Sequence, residues 1–232
     1  FGADAWKQLF PEQGNPKELK TFETIKGAKY IAVSTPGDIL LHIRAKQMGL
    51  CFEFASIIDE KLKGVVDSID ETHGFRYMDG KAIIGFVDGT ENPAVDENPY
   101  HFAVIGDEDP DFIGGSYIFV QKYIHDMTAW NSLPVEAQEK VIGRHKYNDV
   151  ELSDEEKPQN AHNAVTNIGD DLKIVRANMP FANTSKGEYG TYFIGYASTF
   201  STTHKMLENM FIGDPVGNTC LLYTSPSPRD GA

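Results

Sequence analysis

The chain has 232 residues, 41% of them hydrophobic, which is enough to bury a sizeable core in one large domain or two of ordinary size. Thirty-four acidic against 21 basic residues leave a net charge of −13, a field that repels phosphate backbones and anionic lipid heads, so neither nucleic acid nor a membrane is an expected partner. Two cysteines form no disulfide framework, no apolar run reaches membrane-span length, and the N-terminus shows no signal peptide, which together suggest a cytoplasmic protein.

In chain order, residues 5–10 (AWKQLF) have helical spacing and stop at Pro11. Residues 29–33 (KYIAV) and 39–44 (ILLHIR) read as two strands of a hairpin around the turn 34–38. Between 45 and 62 the apolar residues Met48, Phe52, Ala55, Ile58 and Leu62 recur at three and four, which predicts a helix ending before Gly64. Residues 65–69 begin another strand running towards Phe75 and Tyr77. Helix, strand, strand, helix, strand is the order of a ferredoxin-like βαββαβ unit without its first strand.

The apolar run Ala82-Ile83-Ile84 leads into Gly85-Phe86-Val87-Asp88-Gly89-Thr90-Glu91-Asn92-Pro93, which predicts a carboxylate, Asp88, at the end of a strand. Gly85 and Gly89 permit positive φ and leave room for a flat ligand or another backbone. Asp88 either caps its own turn or faces a ligand, and the stretch alone leaves both readings open.

After a linker at 92–115 the order recurs. Residues 116–123 form a strand, 127–142 a helix interrupted near Ser132-Leu133-Pro134, and 149–163 an acidic loop. Strands at 172–176 and 191–197 and a helix at 203–211 follow, and the last strand is missing. The expected fold class is therefore α+β, two duplicated ferredoxin-like βαββαβ halves at 1–91 and 116–220, each lacking a terminal strand. Residues 221–232 change abruptly to Ser, Pro and Arg and read as a flexible tail foreign to the fold.

Three side chains stand out as candidates. His162, one of seven histidines, lies in a polar loop that can present a ring nitrogen inward as a metal ligand or simply be solvated. Arg176 ends a strand on the same face as Ile174, either snorkelling at an edge or aimed into a cleft. Arg144 follows a helix, where a cation complements the dipole or meets an anionic ligand.

Taken together, these stretches resemble a known family. Gly85 to Pro93 looks like the G-x-x-D-G signature of the dye-decolorising (DyP-type) haem peroxidases. It is followed in the family's order by Gly114-Gly115-Ser116-Tyr117, Gly143-Arg144-x-Lys146, Asn160-Ala161-His162-Asn163-Ala164, Ile174 to Phe181 and Gly190 to Tyr196. The resemblance is to the compact, mostly bacterial cytoplasmic branch. It implies haem b (iron protoporphyrin IX) held largely by the second half, with His162 as the proximal ligand to iron. Asp88 stands on the distal side with Arg176 beside it and Asn178 near; Gly89 and Thr90 border the cofactor, and Arg144 meets a propionate. The implied activity is reduction of hydrogen peroxide through a ferryl intermediate and oxidation of dyes, phenolics or similar aromatic donors. Electrons would pass through surface Tyr or Trp residues, Trp130 and ten tyrosines being available. The family also implies a homo-oligomer and an encapsulating shell as partners. The alternative is a non-catalytic haem-binding or iron-handling protein of the same fold, which has no need of Asp88 and Arg176 as a pair. Two places depart from the family pattern. His145 stands where a small hydroxyl residue is usual, and after Asn218 the family's acidic segment, with its carboxylate partner for the proximal histidine, is replaced by Cys220 and the tail.

Overall fold

Helix α1 (Ala3–Leu9) sets Trp6 and Phe10 against Phe1 and Phe112, and Phe10 closes it just before Pro11. Two short antiparallel strands follow, β1 (Ile25–Lys26) and β2 (Ile31–Ala32), with Ile25 opposite Ala32. Helix α2 (Met48–Leu62) spans the predicted apolar repeat. A short helix α3 (Pro99–Ala103) lies in what the sequence suggested was linker, started by Pro99 at its first turn. In this computed structural model, residues 1–35, 37–213 and the backbone of 224–226 are described.

The second half contains strand β3 (Tyr117–His125), then helices α4 (Met127–Ser132) and α5 (Val135–Ile142). Pro134 separates the two helices because its ring cannot continue a helix begun before it. The Asp126 carboxylate caps α4 by accepting from Ala129 N–H at 2.9 Å, and Gly143, at φ 94°, ends α5 in a left-handed turn. Helix α6 (His162–Thr166), strands β4 (Val175–Arg176), β5 (Met179–Asn183) and β6 (Glu188–Ala197), helix α7 (Phe200–Phe211) and strand β7 (Thr224–Pro226) complete the order. The sheet runs β4-β6-β3-β7, with β5 also on β6, and every ladder is antiparallel. That strand order, with helices crossing between β3 and β4 and between β6 and β7, is a ferredoxin-like βαββαβ sheet.

Its core lies where Phe119 and Tyr123 of β3 meet Trp130, Val141, Leu207 and Phe211. The first half enters the same core through Ile25, Ala32 and Phe86. Gly27 allows this approach: a Cβ there would sit 1.8 Å from the Phe211 carbonyl oxygen. No helix among the described residues is long and apolar enough to cross a membrane.

Several expectations change. Residues 39–44 form no strand; β2 pairs instead with β1, and Ile39, Leu40 and Leu41 are 39%, 40% and 50% exposed. Residues 65–77 make only isolated bridges, although Phe75 N–H donates to Pro180 O at 3.0 Å and ties this segment to β5. A strand without a neighbour leaves its backbone groups to water, so neither stretch adopts the pleat its side chains favour. The predicted stripe of α2 is accordingly unburied. Conversely, Thr224–Pro226, expected in a tail outside the fold, pairs with the outer edge of β3, Ile124 opposite Ser225. An open strand edge accepts any extended backbone, and Pro226 is tolerated because edge strands need not donate on both sides. The altered segment from Asn218 to Cys220 and the remainder of the tail lie outside the described residues.

Candidate functional site

The signature stretch is held by packing beneath it. Ala82 N–H donates to Phe86 O at 2.8 Å and Gly85 N–H to Ala82 O at 2.8 Å, so 82–86 is a tight turn rather than the expected strand. Phe86 is 4% exposed and meets Trp130 edge-on, and the Trp130 indole N–H donates to Ile84 O at 2.9 Å. Trp130 itself is 2% exposed, so it is a core anchor and no surface conduit for electrons. Gly85, at φ 95°, has its free space taken by Lys146, whose Cε would lie 2.8 Å from an added Cβ. Gly89 is different: it also needs positive φ, 85°, but a Cβ would meet only Asn92 Nδ2 at 3.5 Å. Of the two expected clearances, only the one beside Gly89 is open.

Asp88 follows this turn, its N–H donating to Gly80 O at 3.0 Å. Its Oδ1 accepts from Asn178 Nδ2 at 3.2 Å, across 90 residues of sequence. The Asn178 amide is itself set by β6, accepting from Ile194 N–H at 3.4 Å. Burial raises the Asp88 pKa, while the Asn178 amide, the Gly89 N–H and the Arg176 charge each pull it back. Arg176, in β4, is pushed down by burial and restored in part by Glu91 and Asp88. A guanidinium keeps its proton across the whole physiological range.

His162 is the first residue of α6, and Thr166 Oγ1 donates back to its carbonyl at 2.9 Å. Burial, with the nearby Arg176 charge, lowers its imidazole pKa to about 4. The ring is therefore neutral at pH 7, the form whose nitrogen lone pair binds a metal. Arg176 thus acts electrostatically on both Asp88 and His162 and joins the two otherwise separate positions. Arg176 and Ile174 line one cleft, as the alternation of β4 suggests, with Thr90, Asn92, Leu172 and Met206 around it; its volume is about 300 Å³. Neither Asp88 nor His162 lines that cleft directly.

Arg144 stands apart from these groups. Its Nη1 donates to Glu91 Oε1 at 2.8 Å, its Nε to Asp149 Oδ1 at 3.0 Å and its Nη2 to Asp149 O at 2.7 Å. Glu151 Oε2 is 3.8 Å away, so this guanidinium is saturated by protein acids. His145 packs beside it and pairs with Glu139 Oε2 at 3.2 Å. Next to His162, the Asn163 amide donates to Gly143 O at 3.2 Å and to Glu151 Oε1 at 3.0 Å, while its buried Oδ1 finds no partner among the described residues.

Two residues of the signature have roles that sequence reading missed. Asn92 bonds the Arg176 backbone twice, accepting from its N–H at 2.6 Å and donating to its C=O at 3.1 Å, which fixes β4 against the signature turn. Glu91 connects Arg144 to the same turn. Both were visible as turn-forming or acidic residues; their partners, 84 and 53 positions away, were not.

The residues present fit a haem: a neutral imidazole as the one nitrogen donor, a carboxylate hydrogen-bonded by an amide in the field of a guanidinium, an open glycine, and a mostly polar cleft lined by that guanidinium. The comparisons agree. The family model for the Dyp-type peroxidase C-terminal domain matches residues 79–227, and that for the N-terminal domain matches residues 1–76. A dye-decolorizing peroxidase of Rhodococcus erythropolis is 53% identical over 222 residues, covering 94% of this chain and 64% of the relative. The chain therefore spans less than two thirds of that relative's length. Among solved structures, a dye-decolorizing peroxidase of Bacteroides thetaiotaomicron superposes with a TM-score of 0.96 at 82% identity, covering 98% of this chain and 74% of the other. A variant of DypB from Rhodococcus jostii RHA1, solved in complex with heme, superposes at 0.93 with 45% identity, covering 97% and 74%. On the strength of both domain matches and these identities, the chain belongs to the Dyp-type peroxidase family.

Proposed function

We propose that this protein is a haem-dependent peroxidase that reduces hydrogen peroxide to water and oxidises dyes, phenolics or similar aromatic donors. The observation that carries the reading is the Asp88–Asn178 hydrogen bond within the field of Arg176, a charge that also acts on neutral His162. In this reading the half at 116–220 holds haem b and the half at 1–91 contributes Asp88.

When bound, haem supplies a centre that accepts two oxidising equivalents from peroxide and releases them one at a time. His162 would hold the iron through its unprotonated nitrogen. Asp88 would act on the peroxide. Asn178, Gly89 and Arg176 oppose the rise in pKa that burial causes and so favour the carboxylate, the form that can take a proton from one peroxide oxygen and deliver it to the other. Arg176 cannot shuttle that proton, but its fixed charge stabilises the oxygen that gains electron density as the O–O bond breaks. Gly89 and Thr90 would border the haem, and Arg144, bonded here to Glu91, would be the cation for a propionate. A bare carrier would not need Asp88 and Arg176 together, so the catalytic reading is preferred over simple haem storage.

Haem titration followed by peroxide and a phenolic dye tests this. A Soret band is expected that His162→Ala weakens, whereas Asp88→Ala and Arg176→Leu keep it and lose dye oxidation by about a hundredfold or more. Absence of the band, or an Asp88→Ala variant turning over at the parent rate, overturns the proposal.

A further inference from the structure

Among the described residues, strand β4 is an edge of the sheet, paired on one side to β6 with Arg176 opposite Gly195. The next residue along, Ala177, donates its N–H to Ile194 O at 2.9 Å. Bonds alternate along an antiparallel ladder, so the N–H and C=O of Arg176 point away from β6. The Asn92 side chain receives both, accepting from the N–H at 2.6 Å and donating to the C=O at 3.1 Å. A side-chain amide holds one donor and one acceptor at a fixed spacing, so this single residue stands where a neighbouring strand would.

The turn and the strand are joined a second time, in the opposite sense. Asn178, two residues beyond Arg176, donates to Asp88 Oδ1 at 3.2 Å. Asn92 N–H donates to Gly89 O at 3.2 Å and closes the turn that follows Asp88. Backbone 88–92, the Asn92 amide, backbone 176–178 and the Asn178 amide therefore make a closed ring that carries both Asp88 and Arg176. The two amides are not equivalent. Asn178 has a support of its own in the Ile194 N–H at 3.4 Å, whereas the outer side of the Arg176 main chain is bonded to Asn92.

We propose that Asn92 is a positioning residue for the peroxide reaction: its amide sets where the Arg176 main chain lies against the signature turn, and so the separation of the guanidinium from the Asp88 carboxylate. The attraction between two charges falls as they part, so a strand freed from the turn weakens the hold of Arg176 on Asp88 and on the oxygen that gains electron density. Asn92 acts through Arg176 and touches no reacting atom. Its part in peroxide chemistry rests on the function proposed above; its control of the Asp88–Arg176 separation does not.

Two measurements separate these parts. In the first, haem-free protein labelled with carbon-13 at the aspartate carboxyl is titrated by NMR, the Asp88 signal being identified by its loss in Asp88→Ala. The Arg176 charge helps to hold the Asp88 pKa down, so Arg176→Leu should raise it. Asn92→Ala should raise it as well and add nothing in the Arg176→Leu background. A mere brace for the fold would lower stability and leave this titration in place. In the second, haem-loaded protein receives peroxide and the change in the Soret band is timed. Asn92→Ala should slow it roughly tenfold to a hundredfold at unchanged haem affinity, and should slow Arg176→Leu no further. An Asp88 titration unmoved by Asn92→Ala, or an equal effect of Asn92→Ala with and without Arg176, overturns the proposal. If Asn92→Ala does not fold, Asn92→Ser, whose hydroxyl cannot make both bonds, is carried through the same comparisons. A parent protein that binds no haem or leaves peroxide unreacted is instead a failure of the proposed function, and the haem-free titration still decides the role of Asn92.

Discussion

Helices α2 and α7 occupy comparable places in the two halves, and both carry apolar residues at helical spacing. Helix α7 buries Met206, Leu207, Met210 and Phe211 against the sheet. Helix α2 buries no residue, and Leu50, Phe52 and Phe54 are 57%, 63% and 54% exposed. The difference lies in what each helix faces. Behind α7 stand β3 and β6, paired along their length from Tyr117–Ala197 to Ile124–Gly190. Around α2, residues 39–44 and 65–77 are not assembled into a sheet. An amphipathic repeat specifies a face, but that face stabilises the fold only where a paired sheet receives it.

This contrast is open to mutation and pH. The largest effect is expected in the second half: Trp130→Ala removes a 2% exposed ring and the bond to Ile84 O, and should cost about 3–5 kcal/mol in chemical denaturation. Acid should act on the same half. His125 is 6% exposed, its Nε2 bonded to Thr191 Oγ1 at 2.9 Å, and burial lowers its pKa to about 4. The unfolded chain takes up this proton near pH 6.5 and the folded chain only near 4, so stability is lost as pH falls through that window and is level outside it. The loss is on the order of 3 kcal/mol, and His125→Gln should flatten the profile between those values. His162 titrates in the same direction.

Gly27→Ala probes the joint between the halves. Its methyl would meet Phe211 O, and a destabilisation of about 1–3 kcal/mol is expected, with β1–β2 amides losing exchange protection. The smallest effect belongs to α2: Phe52→Ser should shift stability by no more than about 0.5 kcal/mol while improving solubility. A Phe52→Ser variant as destabilised as Trp130→Ala would erase the contrast between the helices.

The second half was legible because its signals are local. The alternation before His125, the break at Pro134 and the glycine after Ile142 each act within a few residues, and the elements follow them closely. The unpredicted strand β5 at Met179–Asn183 carries Pro180 and the short polar Asn183, which mask its period, and pairing with β6 supplies the order its own residues do not. In the first half, equally good strand patterns at 39–44 and 65–69 remained irregular, since strand propensity has value only with a neighbour to bond.

By itself the sequence determined the α+β order and the second helical pair, because periodicity and turn chemistry are properties of adjacent residues; Asp88, His162 and Arg176 stood out together only through the resemblance to a known family. Tertiary structure alone decided that Asp88 bonds Asn178, that Lys146 rather than a ligand fills the space at Gly85, and that Arg144 is held by Glu91 and Asp149. It likewise brought His42 to Tyr196 and the backbone of 224–226 to the edge of β3. Each of these depends on which distant surfaces come into contact when the core closes, and no short window of sequence contains both partners.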